Sequence, residues 1–151
     1  MAAPSPFDPT SILFARHAQH VVLIHFPIAL FTIGVLFDVA GRWTKRTGMM
    51  EAAYYNFLVA AASTIPVLVT GLLAWRFALE GQWLKGVLFL HLILGSASAL
   101  LICTAWLIHY RARHKSQAPA AYRWPVEIIG LLVVSLTGHL GGFLSGVNGR
   151  L

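Results

Sequence analysis

Seven histidines stand in a chain with only five acidic residues, eleven Lys and Arg and a single cysteine. Neutral imidazole binds haem iron, zinc and copper alike, so histidine is where chemistry is to be sought first. A zinc hydrolase also wants a carboxylate base or ligand beside its metal. Asp38, Glu51 and Glu127 fall in the half or loop away from most of the histidines, and Glu80 falls in a tight loop. A hydrolase is therefore disfavoured, and no nucleophile triad is visible. The lone Cys103 excludes an intrachain disulfide, and with no Cys-x-x-Cys-His there is no covalent c-type haem attachment. Haem b held without covalent bonds between two histidines of different helices needs no carboxylate. It is the most economical cofactor, with a three-histidine copper or zinc site next.

Such ligands need elements to position them. The chain is 58% hydrophobic and 11% charged, with a mean hydropathy of +0.72, whereas a soluble domain carries about 25% charged residues. The apolar excess calls for lipid as solvent. Four runs, about 20–41, 54–79, 86–110 and 124–146, each exceed or approach the ~20 residues that cross ~30 Å of hydrocarbon. Short polar segments separate them, so consecutive helices should lie antiparallel. The expected fold is an all-α, integral membrane, up-and-down four-helix bundle occupying 1–151 as a single domain. Trp43, Tyr54, Tyr55, Trp75, Trp83, Trp106, Tyr110, Tyr122 and Trp124 collect near the ends of the runs, where amphipathic rings favour the headgroup level. Pro125 suits a helix start, while Pro27 and Pro66 inside helices each free a carbonyl and permit a kink.

The net charge of +6 does not point to nucleic acid, because the basic residues cluster at the ends of apolar runs. The first and third connections hold Arg42, Lys45, Arg46, Arg111, Arg113, Lys115 and Arg123. The other side holds only Arg16, Arg76, Lys85 and Arg150. The bias places the first and third connections in the cytoplasm and both termini outside. The first sixteen residues have no basic leader region, and no small-x-small site follows the first apolar run, so no removable signal peptide is expected.

Counted inward from the outer end, His25 lies about five residues deep, His91 about five and His139 about seven, the same depth to within one turn at ~1.5 Å per residue. Three helices thus offer imidazoles to one outer layer. His20 sits higher and, roughly 140° around the helix from His25, serves a different partner. Thr70 and Gly71 reach a similar depth. Each histidine alone reads as a hydrogen-bonding tie between helices; three at one depth favour a ligand site. Gly95, Gly138 and Gly142 clear volume beside His91 and His139, either for close helix packing or for a flat macrocycle. His109 and His114 flank the basic third connection and are expected at the interface, and His17 in solvent.

The string His20-Val-Val-Leu-Ile-His25-Phe-Pro-Ile-Ala-Leu30, then Thr70-Gly71, His91 and Thr137-Gly138-His139-Leu140-Gly141-Gly142, resembles an uncharacterised family of bacterial four-span membrane proteins, catalogued as a domain of unknown function. The resemblance covers most of the chain. It implies a bacterial inner-membrane location, pattern positions at His20, His25, His91 and His139, and a lean toward electron transfer, since relatives are joined at times to cytochrome c-like modules. Val21 stands where the family often has Pro. After Gly142 the chain also lacks the family's usual Tyr and further His-Gly, so that last histidine's role is absent here.

These readings converge on a redox subunit, more an electron-transfer or accessory subunit than a stand-alone enzyme. It would carry one haem b or two, with His20, His25, His91 and His139 as the ligand pool and Arg16, Arg76 or Lys85 meeting propionates. The expected partners are the lipid bilayer and a redox partner or larger membrane complex. The competing readings are a cofactor-free assembly subunit, a copper- or zinc-binding protein with His25, His91 and His139 as ligands, and a metal or small-solute transporter.

Overall fold

A computed structural model describes residues 16–81 and 83–146, with the side chains of 16–18 and 78 left out. Among the described residues the fold is all helical. Helix α1 (Arg16–Leu23) leads into α2 (His25–Thr44); α3 (Thr47–Leu73) ends in a π-helical turn (Ala74–Ala78); α4 (Gly86–His114) and α5 (Arg123–Leu144) complete the bundle. Four stretches are long and apolar enough to cross a membrane: Gln19–Thr44, Thr47–Phe77, Gly86–His114 and Arg123–Leu144.

Local chemistry sets the breaks. Pro27 has no N–H to give the Leu23 carbonyl and its ring crowds that turn, so the helix interrupts at Ile24. At the other end of α2, Lys45 takes the left-handed conformation (φ 57°), and Arg46 N–H returns to Gly41 O at 3.0 Å. The chain therefore reverses within Lys45–Arg46, and α3 begins at Thr47 instead of near Tyr54. The third connection is likewise shorter than the charge pattern implies, because α4 runs on to His114. Long regular helices keep backbone polar groups paired within the helix, which lipid requires.

The bundle is a ring in which α2 packs most extensively on α3 and α4 on α5, with α3–α4 and α2–α5 contacts closing it. Phe31, Val35, Ala53, Phe57, Ala60, Ala61, Ile102, Ala105 and Val134 form the core. Two aromatic rings seat on glycines of neighbouring helices. A Cβ on Gly34 would lie 2.9 Å from the Phe57 ring, and one on Gly130 would lie 2.7 Å from Phe31. Lipid is as apolar as leucine, so this fitted packing, more than the hydrophobic effect, holds the helices together. Large apolar side chains such as Leu36, Val59, Ile65, Leu100 and Leu132 face outward on every long helix.

Candidate functional site

The two ends of the bundle carry different chemistry. At the end of the second connection, His20 of α1 lies against α3. Its Nδ1 lies 3.3 Å from Thr70 Oγ1, and that hydroxyl donates to Pro66 O at 2.8 Å, with Val67 O at 3.1 Å. With its hydrogen given to those carbonyls, Thr70 accepts from His20, so Nδ1 carries the ring's hydrogen. Gly71 supplies the seat, since a Cβ there would sit 3.0 Å from His20 Cε1.

His91 of α4 is held by the same device. Its Nδ1 lies 3.1 Å from the Thr137 carbonyl of α5, which can only accept. Gly141 lies beneath the ring, 3.3 Å from His91 Cε1 to a Cβ placed there. Thr137 is fixed in turn, its hydroxyl 2.7 Å from Val133 O and 3.1 Å from Ser98 Oγ. In both rings the Nδ1–H bond leaves Nε2 as the basic nitrogen, the arrangement that outer partners impose on metal-bound imidazoles. The two rings approach with centroids 6.5 Å apart and planes at 87°. Two imidazoles on opposite sides of one ion, each nitrogen ~2 Å from it, put their ring centres roughly 6 to 6.5 Å apart.

His25 and His139 are exposed on the outside of the bundle. His25 Nδ1 lies 3.3 Å from Val22 O, and the His139 ring meets Phe143 edge-on at 5.0 Å. The pair that the structure brings together is thus His20 with His91. Gly95 and Gly138 sit at ordinary packing distance from Thr137 and Ile28, 3.8 and 4.0 Å to an added Cβ, and Gly142 is half-buried with its carbonyl accepting from Ser145. Gly95 also borders a largely apolar cleft of ≈ 70 Å³ among Ile24, Pro27, Val67, Ser98 and Val134. That is room for about two waters by volume, against the ~300 Å³ or more of a pocket for a large ligand. The cleft is therefore no seat for a porphyrin. Arg76 and Lys85 are exposed near this end, and the Arg16 side chain and Arg150 lie outside the described residues.

The opposite end holds a buried ionic cluster. Asp38 of α2, 1% exposed, accepts from Arg123 Nε of α5 at 2.8 Å and from Arg42 Nε at 3.0 and 3.2 Å. One turn along α5, Glu127 is fully buried and takes His109 Nε2 of α4 at 3.0 Å. The Phe57 ring of α3 covers His109 at 4.7 Å, so all four long helices meet here. His109 is 5% exposed, which corrects its expected interfacial position: α4 continues past it for another turn and buries it. The correction extends to the carboxylates, which do have a histidine beside them. Asp38, His109 and Glu127 each offer a ligand atom within 4.8 Å of the others. The i,i+4 spacings Asp38–Arg42 and Arg123–Glu127 are the signal in the sequence, masked because charge at the end of an apolar run reads as loop.

A bundle of four helices, each long and apolar enough to cross a membrane, with a histidine pair toward one end and an ionic cluster toward the other, defines a small integral membrane protein. The chain belongs to the predicted membrane protein family DUF2231, whose model matches residues 16–149. No curated protein and no solved structure matches the chain.

Proposed function

We propose that this protein is a membrane redox subunit in which His20 and His91 grip one metal centre at the end of the second connection. The observation carrying the reading is the 6.5 Å, near-perpendicular approach of two imidazoles that are each fixed through Nδ1. That spacing suits ligands on opposite sides of an ion better than two ligands of a tetrahedral one, whose ring centres would fall closer together. It favours haem b, whose iron His20 and His91 would hold and which would supply one-electron transfer when bound. His25 and His139 leave the ligand set in this reading because their rings face outward. The basic end is placed in the cytoplasm of a bacterial inner membrane, so the centre lies toward the outer face.

The test is an absorption spectrum, reduced minus oxidised, of protein purified from a haem-sufficient host. His20→Ala and His91→Ala should each abolish the Soret and α bands, while His25→Ala and His139→Ala keep them. Folded protein with no haem spectrum, binding one copper ion that His91→Ala releases, would replace the haem by a bare ion at the same pair. Folded protein with neither haem nor metal would overturn the proposal.

A further inference from the structure

Glu127, fully buried, has its two oxygens treated unequally. Oε1 meets His109 Nε2 at 3.0 Å, whereas Oε2 is buried without a hydrogen-bond partner among the described residues. Both nearby guanidiniums turn their Nε toward Asp38. Arg123 gives Nε to Asp38 and an Nη1 hydrogen toward the carbonyls of Pro119 and Ala120, at 3.3 and 3.4 Å. Arg42 gives Nε to Asp38. An ionised carboxylate this deep, served by one neutral donor, is costly, and the cost is relieved when the group gains a cation.

Charge accounting points to which cation. Asp38 and Arg123, 1% and 5% exposed at the side chain, form a closed buried pair. Arg42 is the outermost member, 22% exposed at the side chain and beside the exposed Trp43, Lys45 and Arg46, so water and headgroups screen it. What remains buried is Glu127 with His109, neutral together only when they hold one proton beyond the carboxylate and the neutral ring. A divalent ion would bring two charges where one is wanted and would compete with two guanidiniums for Asp38. The groups around the pair are Asp38 of α2, itself held by Arg42, the Phe57 ring of α3, and Arg123 of α5; Arg113, one turn along α4, is engaged with Glu51 at 3.1 Å on the exposed surface.

We propose that Glu127 and His109 form a proton-binding dyad within the membrane span, with the proton on Glu127 as a carboxylic acid and the neutral His109 ring donating Nε2–H to its Oε1. Uptake is the addition of one proton to the Oε2 side of the carboxylate, and no electron moves. The dyad gives the bundle a place to hold one proton at the end opposite the histidine pair, and it stands whether or not that pair binds a metal.

Infrared spectroscopy of the full chain at neutral pH in dodecyl maltoside micelles, a detergent with no ester carbonyl, tests this. The folded protein should show one carboxylic acid C=O band above the amide envelope, shifting down in D2O. Glu127→Gln should remove the band and Glu51→Gln should keep it. Should Glu127→Gln fail to fold, uniform ¹³C-glutamate labelling of the unsubstituted chain must shift the band and ¹³C-aspartate labelling must leave it. The inference is overturned by absence of the band in folded protein, by its survival in Glu127→Gln, by its assignment to aspartate, or by one copurified metal ion per chain that Glu127→Gln releases.

Discussion

At the scale of single residues, what matters is whether a polar group buried in lipid has its partners. Asp38 accepts from two arginines at 1% exposure, so replacing it strands positive charge in the bundle. Breaking a buried pair by removing one partner costs about 3–5 kcal/mol. Asp38→Ala should therefore lose about that much stability, read as a lower unfolding midpoint in a mixed-micelle denaturant titration. The exposed pair Arg113–Glu51, although 3.1 Å long, has water on both partners. Glu51→Ala should leave the same titration unchanged. Thr70 tests the seat of His20: Thr70→Val keeps the shape and removes the oxygen that accepts from Nδ1. Interhelical hydrogen bonds in membranes average about 0.6 kcal/mol, so the fold should survive. If His20 is a ligand, the absorption spectrum of Thr70→Val should shift or lose intensity while the unfolding midpoint barely moves.

At the scale of elements, the glycines separate into two kinds that sequence alone does not distinguish. Gly34 and Gly130 face aromatic rings at 2.9 and 2.7 Å from a hypothetical Cβ, whereas Gly95 and Gly138 have 3.8 and 4.0 Å. Gly130→Ala should push Phe31 out of its seat and destabilise the α2–α5 contact by about 1–3 kcal/mol, the usual cost of overpacking. Gly138→Ala should be close to neutral, and thermal unfolding of the two variants side by side would separate these outcomes. The same limit governed what could be read of the histidines. Hydropathy located the four apolar spans because crossing lipid demands long unbroken runs, and the angle between His20 and His25 followed from helix periodicity. Which of the two faces inward did not follow, because the Thr70 hydroxyl and the Gly71 seat that receive His20 lie on another helix. His109 and the carboxylates were misplaced for a related reason. Charge at the end of an apolar run reads as loop, yet α2 and α3 are separated only by Lys45–Arg46 and α4 extends to His114.

At the scale of the whole molecule, the two ends of the bundle differ in basic charge, and that asymmetry bears on orientation across the membrane. Lys45, Arg46, Arg111, Arg113 and Lys115 are exposed at one end, while Arg76 and Lys85 are the exposed basic residues described at the other. Short connections make this count meaningful, since the positive-inside bias acts through loops close to the spans. The ionic cluster reinforces it, because Arg42 and Arg123 are held to Asp38 and anchor the basic end as part of the fold. In a Cys103→Ala background, a cysteine replacing Ser116, exposed in the third connection, should resist a membrane-impermeant maleimide on intact cells and react once they are opened. A cysteine replacing Trp83, 89% exposed in the second connection, should react on intact cells. Neutralising Lys45, Arg46 and Lys115 together should weaken the bias enough to yield molecules labelled at both positions from outside. Labelling of Ser116→Cys alone on intact cells would invert the assignment, placing the histidine pair toward the cytoplasm and the proton-holding dyad toward the outer leaflet.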